Sequence, residues 1–83
     1  MGMIFNMKLA DNIKFYRKQI GLTQKKLASY LNASGTMISN YEVGYSTPDV
    51  TTLIKLADIF EVTLDELVGR EFNIKTTVIQ KKK

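Results

Sequence analysis

The sequence predicts an all-α domain of five short helices. Three observations lead there. Apolar residues recur at helical spacing as far as residue 69. A Ser, Thr or Asp stands at the head of each segment from the second onward, and a Gly or Asn stands near several of the segment ends. The connections between segments are short, as in a compact helical bundle.

The first helix is marked by Leu9, Ile13, Tyr16 and Ile20, spaced i, i+4, i+7 and i+11 on one face. Gly21 ends it, because glycine turns left-handed at low steric cost. Thr23 is a good N-cap for a second helix over about 24–31, with Leu27, Ala28 and Leu31 as its inner stripe. Asn32 then supplies a second residue tolerant of positive φ. Ser34 caps a third helix over about 35–42, which turns Ile38 and Tyr41 inward, and Gly44 closes it. Residues 43–48, ending in the only proline, read as a loop.

Asp49 caps a fourth helix that runs to about Phe60. Val50, Leu53, Ile54, Ala57 and Phe60 are expected to form its buried face. Thr63-Leu64-Asp65-Glu66 is a capping box, in which the Thr hydroxyl and the Glu carboxylate each satisfy a free N–H. The fifth helix it opens should bury Leu64, Leu67 and Val68 before Gly69. The aromatics Phe15, Tyr16, Tyr30, Tyr41 and Phe60 read mostly as core.

Beyond residue 70 the pattern changes. Phe72, Ile74, Thr76 and Val78 alternate with Asn73, Lys75 and Thr77, a period of two that suits a strand. A lone strand is unstable, so this tail either pairs with something or stays disordered. The expected organisation is an N-terminal extension over 1–6, one domain over 7–70 and a basic C-terminal tail over 71–83.

Composition narrows the chemistry. The chain has 83 residues, 45% of them apolar, enough for a packed core. Cysteine and histidine are absent, so no disulfide, thiol nucleophile, His base or Cys/His zinc site is available. The acidic group Asp58, Glu61, Asp65 and Glu66 reads as helix-start chemistry and a solvated face rather than a metal or acid–base site. An enzyme is therefore not expected, and neither is a cofactor or a metal. No apolar run is long enough to cross a membrane, and residues 1–6 lack the features of a signal peptide or a good myristoylation site. The expectation is a cytoplasmic protein.

The net charge of +4 is unevenly spread. Residues 1–48 carry six bases and two acids, residues 49–70 two bases and five acids, and residues 71–83 four bases and one acid. A basic front can face a polyanion. Within that front, the second and third helices are joined by a tight turn at Asn32-Ala33-Ser34. Small Ala28 allows close approach, and Ile38 lies between the two helices. This is a helix-turn-helix, an arrangement that sets its second helix in the DNA major groove.

Three stretches carry a resemblance to a known family. They are Gly21-Leu22-Thr23-Gln24-Lys25-Lys26-Leu27-Ala28, then Ile38-Ser39-Asn40-Tyr41-Glu42-Val43-Gly44, and, beyond Pro48, the run from Leu53 to Leu67. Together they resemble the lambda-repressor/Cro-type (Xre-type) helix-turn-helix family over roughly residues 7–70. The resemblance implies a five-helix lambda-repressor-like DNA-binding domain in a bacterial or phage regulator. It implies double-stranded DNA as partner, a homodimer, and most often repression at a palindromic operator.

By position in the family, Gln24 should contact a phosphate and anchor the next helix. Gly35, Thr36 and Asn40 should stand where bases are read, with Met37 and Ser39 on the same exposed face. Asn40 suits adenine, whose N6 and N7 its amide can engage together. Met37 can touch an apolar base edge or pack partly on the domain. Gly35 departs from the usual polar reader, which shifts weight towards indirect readout. Arg17 and Glu42 match the family's structural ion pair, with Arg17 also near the DNA backbone. Val43 replaces a common phosphate-binding asparagine, leaving the hydroxyls of Tyr45, Ser46 and Thr47 as substitutes. Lys25 is a further phosphate candidate, and it shares with Lys8, Lys14, Lys18 and Lys26 a general contribution through counterion release. The alternative is a DNA-binding antitoxin or adaptor whose tail, 71–83, binds a protein partner by strand addition.

Overall fold

The computed structural model describes residues 2–69, with side chains from residue 8 onward. Five helices follow one another: α1 (Gly2–Gln19), α2 (Gln24–Tyr30), α3 (Gly35–Glu42), α4 (Val50–Phe60) and α5 (Leu64–Val68). Helix α1 thus takes in residues 2–6, where the sequence predicts an N-terminal extension. The alternating segment 71–83 lies outside the described residues.

Each helix starts as its cap residue dictates. Thr23, Ser34 and Asp49 hold extended backbone, and their side chains accept from the N–H of Lys26, Met37 and Thr52. Thr63 and Glu66 complete the capping box: Thr63 Oγ1 accepts from the Glu66 N–H at 3.0 Å, and Glu66 Oε1 from the Thr63 N–H at 2.8 Å.

The first four helices end alike. Gly21, Asn32, Gly44 and Glu61 have φ of 78°, 55°, 80° and 59°. The next residue's N–H reaches back across the turn: Leu22 to the Arg17 carbonyl, Ala33 to Ala28, Tyr45 to Asn40 and Val62 to Ala57, at 2.9–3.1 Å. This reversal satisfies carbonyls that a helix end otherwise orphans. It also explains how four connections of only a few residues redirect the chain.

Helix α1 packs against α3, α4 and α5, while α2 lies on α3 and α4 on α5. Ile13, Leu27, Ile38, Leu56 and Leu67, one from each helix, are fully buried at the centre. Each such side chain contributes roughly 1.5–3 kcal/mol of burial free energy. Leu9, Ala28, Tyr41, Ala57 and Phe60 complete the core, with Tyr16 against the Phe60 ring at a centroid distance of 5.9 Å.

The buried faces differ from expectation at several positions. In α4, Val50 is 69% exposed and Ile54 also faces out, while Leu56 takes the central place. Exposed Thr51, Lys55 and Asp58 mark the polar side of α4, but the apolar arc opposite is wider than the buried face, so spacing alone does not fix which part of it turns inward. Ile20 and Leu64, each near a helix end, are exposed rather than core. Phe15 and Tyr30 are exposed too. Phe15 sits edge-on to Tyr16, and the Lys26 ammonium lies 5.7 Å from the Tyr30 ring centre.

Candidate nucleic-acid interface

The turn between α2 and α3 is set by backbone chemistry. The Ala28 carbonyl accepts from both Leu31 and Ala33, at 3.0 and 2.9 Å, and Asn32 takes the left-handed conformation between them. Ala28 is buried, and a Cβ built on Gly35 would meet only Lys25 Cα, at 3.9 Å. The two helices therefore cross closely, with no need for glycine at position 35.

Helix α3 divides cleanly. Ile38, Tyr41 and Glu42 are buried, Thr36 and Met37 are exposed, and Gly35, Ser39 and Asn40 are half-buried. Met37 is 45% exposed and also lines a small cleft with Leu31, Asn32, Tyr41, Asp49 and Thr52, so it combines exposure with packing. Tyr41 faces the start of α4. Burial pushes its phenol pKa up, the Asp49 carboxylate adds to that, and the Thr52 side chain opposes it.

A buried polar cluster fastens α3 to the rest. Arg17 Nε donates to Glu42 Oε2 at 2.5 Å and Arg17 Nη2 to Glu42 Oε1 at 3.1 Å. Arg17 Nη1 donates to the Leu22 carbonyl at 2.7 Å, and Gln24 Nε2 to Glu42 Oε1 at 3.0 Å. Arg17 and Glu42 are only 8% and 6% exposed. Among the described residues no buried side-chain polar atom lacks a partner. The Glu42 carboxylate thus ties α1 and the head of α2 to the last turn of α3, while Arg17 also holds the α1–α2 turn through the Leu22 carbonyl. A guanidinium fork holds the orientation of that carboxylate as well as its position.

The expected ion pair is present, and it is buried rather than a surface pair. The Gln24–Glu42 bond has no local signal, since the two residues are 18 apart and meet only through the tertiary fold. Gln24 is half-buried beside exposed Lys25 at the head of α2. A primary amide carries two N–H donors, so one remains after the Glu42 bond.

In the α3–α4 loop, Tyr45 is 81% exposed and Ser46 half-buried. Their backbone N–H groups both donate to the Asn40 carbonyl, at 2.9 and 3.2 Å. Any anion contact from these residues therefore falls to their hydroxyls. The same bonds fix the Asn40 backbone. Asn12 was not singled out by sequence. Its Nδ2 donates to the Glu66 and Leu67 carbonyls at 3.3 and 3.1 Å, which pins the end of α5 to α1. Among the described residues there is no group of His, Cys, Asp and Glu that could hold a metal, and no helix is long and apolar enough to cross a membrane.

Comparison with known proteins agrees with this geometry. A family model described as Helix-turn-helix matches residues 13–67. The HTH-type transcriptional regulator ImmR of Bacillus subtilis (strain 168) is 40% identical over 65 residues, which cover 78% of this chain and 51% of that protein. The cryptic phage CTXphi transcriptional repressor RstR of Vibrio cholerae is 38% identical over 64 residues, covering 77% of this chain and 57% of RstR. The chain thus spans a little over half the length of these relatives. A crystal structure of a transcriptional regulator from Listeria innocua superposes with a TM-score of 0.73 at 29% identity, over 89% of this chain and 75% of that one. With the matched segment running from α1 into α5 and the polar cluster orienting α3, the chain belongs to the lambda-repressor-like (Xre-type) helix-turn-helix family.

Proposed function

We propose that this chain is a sequence-specific double-stranded DNA-binding regulator that represses transcription as a homodimer on a palindromic operator. The observation that carries the reading is the split of α3. Its inner residues are locked by the Arg17–Glu42–Gln24 cluster, while Thr36, Met37 and the half-buried Asn40 remain on the outer side. An oriented helix with short polar side chains suits base edges in the major groove. The name of RstR as a repressor supports the direction of regulation.

In this reading Thr36 and Asn40 make the sequence-specific contacts, joined by Met37 and Ser39. Gly35 permits close backbone approach. Gln24, Lys25, Tyr45 and Ser46 contact phosphates, with Arg17 acting chiefly through Glu42. The DNA-binding unit is the segment 7–70, acting in the cytoplasm. Two copies bind half-sites about one helical turn (~34 Å) apart. Bound there, the dimer excludes polymerase from the promoter.

Selection of bound sequences from random DNA, followed by fluorescence anisotropy across a salt series, tests the proposal. The expected result is an enriched palindrome bound well above random DNA at every salt concentration. Equal affinity for both would overturn the claim of specificity. A sedimentation profile showing one monomer per operator would overturn the dimer.

A further inference from the structure

We propose that the apolar groove between α1, α2 and α4 is the docking site of this chain's own C-terminal segment, residues 72–79. The groove has a volume of about 560 Å³ and is lined by Ile20, Leu22, Tyr30, Lys55, Asp58 and Ile59. Ile20 and Tyr30 are 45% and 55% exposed, so two large apolar side chains stand open there. Exposed apolar surface gathered into one concavity is a surface that a partner covers.

Three observations select the occupant. The first is chemistry. Phe72, Ile74 and Val78 alternate with polar residues, so an extended segment carries its apolar side chains on one side. The helical domain has no strand among its described residues. The alternating segment therefore finds no sheet edge there and can bury its apolar side only between helices.

The second is reach. The described chain ends at Gly69, beside Lys8 and Asn12 of α1. Ile20 lies eight residues further along the same helix direction, about 12 Å away at 1.5 Å per residue. An extended chain advances about 3.3 Å per residue, which carries Ile74 about 17 Å from Gly69 and Val78 about 30 Å. The distance to the groove falls within that span.

The third is charge. Residues 49–70, which supply the α4 wall, carry five acids and two bases. Residues 71–83 carry four bases and one acid. Asp58 stands in the groove beside Lys55, Lys26 lies over the Tyr30 ring, and Glu61 follows Asp58 at the end of α4, so the acidic part is the C-terminal end of that helix. Lys81, Lys82 and Lys83 complement the Asp58 and Glu61 carboxylates at that end of α4.

The chain has no cysteine, so Gln80→Cys in the full chain gives a single site for a nitroxide label. The readout is the attenuation of Ile, Leu and Val methyl signals. The expected result is that Ile20, Leu22 and Ile59 lose most of their intensity while Val50, at the opposite end of α4, keeps its own. Adding Ile74→Asp and Val78→Asp should abolish that difference. Both substitutions lie beyond the described residues, and an unchanged Ile38 methyl signal reports that the core is intact. Equal attenuation of groove methyls and Val50 in the parent would overturn the proposal, as would a difference that survives the two aspartates. A mixed sample, with label on one set of chains and methyl isotopes on the other, separates the remaining occupant. Groove attenuation in that mixture means a second copy supplies the segment, which also overturns the proposal.

Discussion

Arg17 in α1 and Glu42 at the end of α3 form a two-pronged ion pair, Nε to Oε2 at 2.5 Å and Nη2 to Oε1 at 3.1 Å, beneath the protein surface. Its burial changes its energetics. An exposed pair of this kind is worth ~0–1 kcal/mol. A buried pair is different: the attraction roughly offsets desolvation, yet removing one partner leaves a stranded charge. The pair thus sets where α3 points more than it adds net stability.

Glu42→Ala should therefore destabilise the domain by about 3–5 kcal/mol. Three donors, from Arg17 and Gln24, lose their acceptor at once. Arg17→Met with Glu42→Leu should lose much less than the sum of the single changes. Urea unfolding of the two singles and the double gives the cycle, and strict additivity would contradict the buried-pair account.

Much of the fold is legible locally. Thr23, Ser34, Asp49 and Thr63 mark helix starts through a side-chain bond spanning three residues, so the sequence holds the whole interaction. Gly21, Asn32 and Gly44 mark reversals for an equally local steric reason. Glu61 makes the same reversal with φ 59° and gives no signal, because glutamate has no special tolerance there. Leu56 is hidden differently. Helix α4 offers apolar residues at Val50, Leu53, Ile54, Leu56, Ala57, Ile59 and Phe60, a wider arc than it buries, and packing against α1 and α5 decides which part of that arc turns inward.

The candidate site shows the same divide. The exposed edge of α3 follows from helical spacing once Ile38 and Tyr41 are inside. Arg17, Gln24 and Glu42 belong to three elements and meet only when all are folded, so the family resemblance anticipates the ion pair while the Gln24 bond emerges from geometry.

Gly35 offers a test of how tightly α3 is built. A methyl there meets only Lys25 Cα at 3.9 Å, an ordinary contact, and the residue is not among those with positive φ. Gly35→Ala should stabilise the domain by about 0.4–1 kcal/mol through reduced unfolded-chain entropy and better helix propensity. A raised thermal midpoint in circular dichroism is the expected outcome, and a lowered one would show crowding between α2 and α3.

The division of labour at the DNA face separates by salt. Thr36→Ala and Asn40→Ala should each weaken specific binding by about 1–3 kcal/mol and leave random-sequence binding nearly unchanged. Lys25→Ala should weaken all sequences alike and reduce the slope of log affinity against log salt by about 1. Anisotropy titrations on selected and scrambled duplexes distinguish the two patterns. A loss at Asn40 that is equal on both duplexes would remove it from base readout.

Asp49 links helix α4 to pH. Its carboxylate accepts from the Thr52 N–H at 2.9 Å. Its pKa is lowered by the Thr52 side chain, by the Thr52 backbone, and in smaller part by Lys55. A carboxyl whose pKa is lower folded than unfolded binds protons more readily when unfolded. Its contribution is complete above the ordinary Asp pKa of about 3.9 and fades as pH falls through the lowered folded value. Asp49→Asn keeps an oxygen acceptor for the cap but removes the titration. Thermal midpoints measured from neutral pH down to the acid limit should fall less steeply below pH ~4 in Asp49→Asn than in the parent. Parallel curves over that interval would show that the cap bond does not distinguish the charged carboxylate from a neutral amide.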